Sequence, residues 1–211
     1  MKTGGLLAAM LLHNLLYPLS SVHGAGPALF YAVYAGIFVA GTFALSTARL
    51  PRLAAALSGA AVFAAGLANS YAPGRDAALA VYLTSLAYHG VMIWVLARYV
   101  FAAREVLTDV ILAATTLYLV IGSAFAALYA LIVWIEPDAF ATASGAPLGW
   151  QQMLYYSFVT LTTVGYGDIT PRSPSAQAVA AFEAIVGVLY TVILLARLVG
   201  LNASSPASGR K

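Results

Sequence analysis

The sequence predicts an all-α membrane protein of six transmembrane helices, with a re-entrant segment between the fifth and the sixth. Three observations predict it. Of 211 residues, 62% are hydrophobic and only 8% are charged, whereas a soluble domain carries roughly 25% charged residues. Mean hydropathy is +0.89, so the chain cannot cover a water-facing surface and needs a bilayer as its solvent. Apolar stretches of about 20 residues, the length that crosses a hydrocarbon core, recur along the chain, and one apolar stretch between the last two is too short to cross. Cysteine is absent, which excludes disulfides, thiolate metal sites and cysteine nucleophiles. The net charge of +3 reads as loop cations that orient the chain rather than as a nucleic-acid surface.

The elements follow in order. Gly4–Val22 is the weakest span, because His13, Asn14 and Pro18 interrupt it. Its alternative is a cleaved secretory signal over residues 1–24, with Lys2 before the apolar run and Gly24-Ala25-Gly26 at its end. Either way the downstream topology is the same. Ala28–Leu50, Leu53–Tyr71 and Ala77–Phe101 complete a four-helix peripheral region, 1–101. The linker 102–109 is expected to form a short helix over Phe101–Asp109 at the inner membrane surface, with Arg104 and Glu105 on a solvated face. Val110–Ile135 is the fifth span and Ala176–Leu201 the sixth. Between them Glu136–Pro174 is too polar to cross, yet Trp150–Leu161 within it is apolar and aromatic for about three helical turns. Such a segment dips in and returns, which is tolerated only where protein or water buries its backbone. Residues 202–211 are a short polar tail, and no tethered cytoplasmic sensor is expected.

Cationic residues set the orientation. With a cytoplasmic amino terminus and six spans, Lys2, Arg49, Arg52, Arg98, Arg104, Arg197, Arg210 and Lys211 lie inside, and Arg75 and Arg172 outside. Eight against two puts Glu136–Pro174 on the outer side and both chain ends in the cytoplasm.

The short apolar segment leads into Thr162-Thr163-Val164-Gly165-Tyr166-Gly167-Asp168. Peptide carbonyls are neutral dipoles of fixed length, so a row of them pointing one way makes a column of cation sites. An ordinary strand alternates its carbonyl directions. Aligning them requires backbone angles that a Cβ disfavours and glycine adopts freely, and Gly165 and Gly167 stand at every second position.

Thr163-Val164-Gly165-Tyr166-Gly167 is the selectivity-filter sequence of potassium channels. The chain resembles the potassium channel family, in its prokaryotic six-segment type with one pore loop per subunit. The resemblance covers Val110–Leu201; the first hundred residues match only in their number of spans. It implies a pore domain, 110–201, with an outer helix 110–135, a pore helix 150–161, a filter 162–168 and an inner helix 176–201. K⁺ is expected at Thr163, Val164, Gly165 and Tyr166, in a homotetramer that conducts K⁺ passively across a prokaryotic plasma membrane. The filter loop would lie outside and the carboxyl terminus in the cytoplasm. The implied partners are K⁺, membrane lipids and further copies of the chain, with no nucleic acid, no catalytic residue and no cofactor beyond the filter ions.

Further positions follow from the resemblance. Thr163 adds a hydroxyl at the cytoplasmic mouth of the column, flanked by Thr162, while Val164 and Tyr166 turn away from the axis. Tyr155 and Tyr156 stand where the family carries an aromatic pair, and would form a cuff toward Tyr166 and Asp168. Val159 stands where some members carry a Glu that bonds the equivalent of Asp168, so that device is in doubt here. The pore helix would aim its negative dipole end at a water-filled cavity. Gly187, nineteen residues beyond Asp168, matches the family's hinge glycine, although glycine also serves close helix packing. Thr191 and Leu195 share its face and would line the cavity or the bundle crossing.

Glu183 is an acid well inside a span, and such a carboxylate is a functional candidate by default. Either it tunes the filter through hydroxyls such as Ser157 or Thr160, or it makes a protonated, structural hydrogen bond. A pH dependence of opening that vanishes in Glu183→Gln marks the tuning role. A voltage sensor needs cations at every third position of the fourth span, but between Asp76 and Phe101 only Arg98 is cationic, so little or no voltage dependence is expected. His13, Asn14, Asn69 and His89 suit no metal site by their spacing, and interhelical hydrogen bonds are expected of them.

Rival classes fit less well. Gly165-Tyr166-Gly167-Asp168 and Pro27-Ala28-Leu29 echo intramembrane aspartyl proteases, but no Tyr-Asp pair exists and the order is reversed. Sodium-permeable relatives replace the filter tyrosine, and Tyr166 is intact. A non-conducting scaffold would have no use for a strained glycine loop.

Overall fold

A computed structural model of the chain describes residues 2–16, 26–105, 107–143, 145 and 148–204. They form seven α-helices and one two-stranded sheet: α1 (Lys2–Leu16), α2 (Gly26–Leu45), α3 (Arg49–Tyr71), α4 (Arg75–Ala102), α5 (Thr108–Ile135), β1 (Phe140–Thr142), α6 (Trp150–Leu161), β2 (Ile169–Pro171) and α7 (Pro174–Ser204). Among the described residues five helices are long and apolar enough to cross a membrane: Ala28–Leu45, Arg49–Tyr71, Arg75–Ala102, Thr108–Ile135 and Pro174–Leu201. The chain is a helical, multi-pass membrane protein. α1 has 15 residues and rises about 22 Å, short of the ~30 Å hydrocarbon core. The rest of the expected first span, through Pro18 to Val22, lies outside the described residues.

The junction of the second and third spans departs most from the sequence expectation. α2 ends at Leu45 rather than Leu50, and α3 starts at Arg49. The cause is a side chain: Arg52 donates from Nε to Ser46 O at 2.7 Å and from a terminal nitrogen to Phe43 O at 3.0 Å. A guanidinium there satisfies carbonyls that a helix end leaves open and complements its dipole. Pro51 then falls in the first turn of α3, where its missing N–H is harmless. The short linker helix expected over Phe101–Asp109 does not form. α4 runs to Ala102 and α5 begins at Thr108, with no helix among the described residues between them. Here too an arginine closes the end, since Arg197 of α7 donates to Phe101 O at 2.8 Å and Ala103 O at 2.6 Å.

Two cores divide the molecule. The first joins the peripheral helices to α5 through Met10, Tyr34, Tyr88, Met92, Leu96 and Leu117. Inside it His89 Nδ1 lies 2.7 Å from Ser85 O, an acceptor, so Nδ1 carries the proton and Nε2 accepts from the Tyr34 hydroxyl at 3.1 Å. This is the interhelical bond expected of His89. The second core packs α5, α6, the sheet and α7 around Tyr129, Phe140, Met153, Tyr156 and Ile169. The sheet is antiparallel, with Phe140 opposite Pro171 and Thr142 opposite Ile169.

Arginines sort to the two ends of the bundle. Arg52 and Arg197 cap helix ends at one side. At the other, Arg75 lies over the Trp134 ring at 4.7 Å, and the Arg172 amide donates to Ala139 O at 2.7 Å.

Candidate functional site

The site grows from the carboxyl end of α6. Thr162 closes the helix by donating from its amide (3.1 Å) and its hydroxyl (2.6 Å) to Phe158 O. The next amides fold back on the same helix: Thr163 N–H donates to Thr160 O at 2.9 Å, and Val164 and Gly165 N–H to Val159 O at 2.9 and 3.3 Å. With the amides drawn toward α6, the carbonyls are left over. Among the described residues no backbone amide donates to the carbonyls of Thr163 to Gly167.

The backbone alternates hand through this stretch. φ is +60° at Thr163, +59° at Gly165 and +78° at Gly167, with ordinary negative values at Val164 and Tyr166. Left-handed geometry at every second residue cancels the alternation of an extended strand, so successive carbonyls turn to a common side. Glycine adopts it readily, but Thr163 is β-branched and is a genuine outlier at positive φ.

Residues 162–168 are all exposed on the single chain. The Tyr166 ring stacks parallel to that of Tyr155, with centroids 6.4 Å apart and planes 2° from parallel. Tyr155 also donates to Asp168 Oδ2 at 2.9 Å, and Ile169 N–H donates to Asp168 Oδ1 at 3.0 Å. That bond to the carboxylate, more than any other cause, raises the pKa of the Tyr155 hydroxyl above its ordinary value. Of the two tyrosines expected in the cuff, only Tyr155 takes this position. Tyr156 points the other way and is buried, edge-on to Tyr129 at 4.9 Å and to Phe140 at 5.2 Å. Consecutive residues of a helix are turned about 100° apart, so α6 cannot offer both rings to one loop.

Behind the loop stand α5 and α7. A Cβ at Gly187 would lie 1.9 Å from Leu161 O, so α7 touches the last carbonyl of α6 backbone to backbone. Tyr118 of α5 donates to that carbonyl at 3.2 Å. α7 is continuously helical through Gly187, and the Thr191 hydroxyl donates to Gly187 O at 3.0 Å. Thr191 and Leu195 are exposed. Glu183 is fully buried and receives the Tyr129 hydroxyl at 2.5 Å on Oε2, with Ser157 Oγ 2.5 Å from Oε1.

The family model described as ion channel matches residues 106–203, a range that contains this whole assembly. Over residues 106–203 the chain is therefore similar to ion channels. Within the curated proteins, a two pore potassium channel c of Oryza sativa subsp. japonica is 35% identical over 82 residues, 39% of this chain and 16% of its own length. A two-pore potassium channel 2 of Arabidopsis thaliana is 36% identical over 69 residues, 33% of this chain and 15% of its own. The chain thus spans about one sixth of the length of these relatives. No solved structure matches.

Tyr129 is the residue behind the loop that sequence reasoning missed. Nothing distinguishes it from other tyrosines of an apolar helix until Glu183 is seen to accept from it. The β1–β2 pair was missed as well. It holds the far end of the loop, with Ala143 N–H donating to Asp168 O at 2.8 Å, but strands of three residues are too short for alternation to register.

Proposed function

We propose that this chain is one subunit of a potassium-selective channel in which four copies surround a single pore and K⁺ crosses passively. One observation carries the reading: left-handed φ at Thr163, Gly165 and Gly167, with the amides of Thr163, Val164 and Gly165 bound back to Thr160 and Val159. Carbonyls freed in this way can replace the water around a bare K⁺, and a closed ring of them needs several chains. Thr163, Val164, Gly165 and Tyr166 hold the ions, and Gly167 completes the turn outward. The filter composition, with Tyr166 present, and the likeness to plant two-pore potassium channels favour K⁺ over Na⁺.

A homotetramer also answers the exposed apolar face of α7, where Phe182, Ile185, Val188, Val192 and Val199 lack cover from their own chain. α6 acts as the pore helix, and Tyr155 braces the filter through Tyr166 and Asp168. Gly187 sets the closeness of α7 to α6; bending there, with Thr191 and Leu195 lining the cavity, is the gating motion we favour. The membrane is the plasma membrane of a prokaryotic cell, with the filter outside, the carboxyl end inside and little voltage dependence.

The test is ion flux from liposomes that hold only the purified chain. K⁺ efflux that Ba²⁺ blocks and Na⁺ does not match is the expected result. Equal passage of Na⁺ and K⁺ sinks the potassium reading, and no flux of either sinks the channel reading.

A further inference from the structure

Ser157 Oγ has two close partners. It lies 2.7 Å from Gly122 O of α5 and 2.5 Å from Glu183 Oε1 of α7. The Tyr129 hydroxyl lies 2.5 Å from Glu183 Oε2. These are three contacts, and each needs one proton. The two hydroxyls supply two. Gly122 O accepts only, so Ser157 spends its proton there, and Tyr129 spends its own on Oε2. The third proton must sit on Glu183 Oε1 and point at Ser157. The surroundings agree with a neutral acid. Glu183, Ser157 and Tyr129 are each buried to 3% exposure or less. The titratable side chains facing the carboxyl are Tyr118 and Tyr129 from α5 and Tyr156 from α6. Among the described residues no cationic side chain acts on it, and an unpaired buried carboxylate is strongly disfavoured.

We infer that Glu183 is a positioning residue for the filter: as a neutral carboxylic acid it donates to Ser157, and through Ser157 it fixes α6 against α5 and α7. The inference rests on the channel reading for its consequence, not for its geometry. Ser157 stands two residues before Val159, whose carbonyl anchors the amides of Val164 and Gly165. A shift of α6 at Ser157 therefore moves the filter carbonyls directly. Gln at position 183 reproduces the arrangement, because its NH₂ donates to Ser157 and its C=O accepts from Tyr129. Ala removes both.

Two measurements on the full-length chain in liposomes test this. The first is the infrared difference spectrum between wild type and Glu183→Gln at neutral pH. A carboxylic-acid C=O band in the wild type, lost in the variant, is expected; carboxylate bands in its place overturn the inference. This readout needs no conduction, so its failure is distinct from a failure of the channel reading, which shows as absent flux in the wild type. The second is the K⁺ over Na⁺ flux ratio. Glu183→Gln is expected to stay within about twofold of wild type, whereas Glu183→Ala and Ser157→Ala lose about tenfold, as suits buried groups left without partners. Where Glu183→Ala fails to assemble, Ser157→Ala and the amide variant still decide. A Gln variant as impaired as the Ala variants overturns the proposal.

Discussion

Thr163 shows how much local structure the loop needs. A β-branched residue at φ +60° is held against a cost of roughly 1–2 kcal/mol for an L-residue in the left-handed region. Its amide bond to Thr160 and the neighbouring bonds to Val159 hold it there. Gly165 and Gly167 meet the same demand without a Cβ. Gly165→Ala should add roughly 1–2 kcal/mol of backbone strain in every subunit. The expected outcome is a protein that still assembles, judged by size-exclusion chromatography, but loses selective K⁺ flux. Gly187 is a different kind of glycine. Its φ is ordinary and its role comes from space, with Leu161 O where a side chain would begin. In the sequence the two kinds look alike. The left-handed glycines of the loop were legible because they recur at alternate positions inside a Thr-Val-Gly-Tyr-Gly run. The packing of Gly187 was not, because it depends on where α6 ends.

At the scale of elements, α6 is an anchor with two faces. One face buries Tyr156 and Ser157 against α5 and α7; the other offers Tyr155 to Tyr166 and Asp168. Tyr155→Phe should keep the ring stack and lose the bond to Asp168. The expected outcome is a severalfold faster decay of K⁺ current with an unchanged K⁺ over Na⁺ ratio just after opening, measured in planar bilayers. An unchanged decay would show that the stack alone braces the loop. Five long apolar helices were legible as runs of apolar residues, since nothing but a bilayer explains such runs. Their ends were less so. Leu45 and Ala102 are ends made by Arg52 and Arg197, the latter reaching across 94 residues of sequence to Ala103. No local pattern announces a cap supplied from that far away.

For the whole molecule, the uneven cover of α7 matters most. α5 is packed on nearly all sides, while α7 shows Phe182, Ile185, Val188, Leu189 and Val192 to its surroundings. A tetramer would bring these faces together around the exposed carbonyls. Native mass spectrometry from detergent should give a protein mass of about 88 kDa, four times the 21.9 kDa chain; a dominant monomer or dimer would refute the assembly.

The contact of Arg197 with the end of α4 has a mechanical consequence. The carboxyl-terminal part of α7 is leashed to the end of α4 by two charge-assisted bonds, and Tyr190, about two turns earlier, fastens it to Ala114 O. Any splaying of that part must drag α4 along or snap the leash. Lipid pressure on the peripheral helices would then be felt as a load on α7.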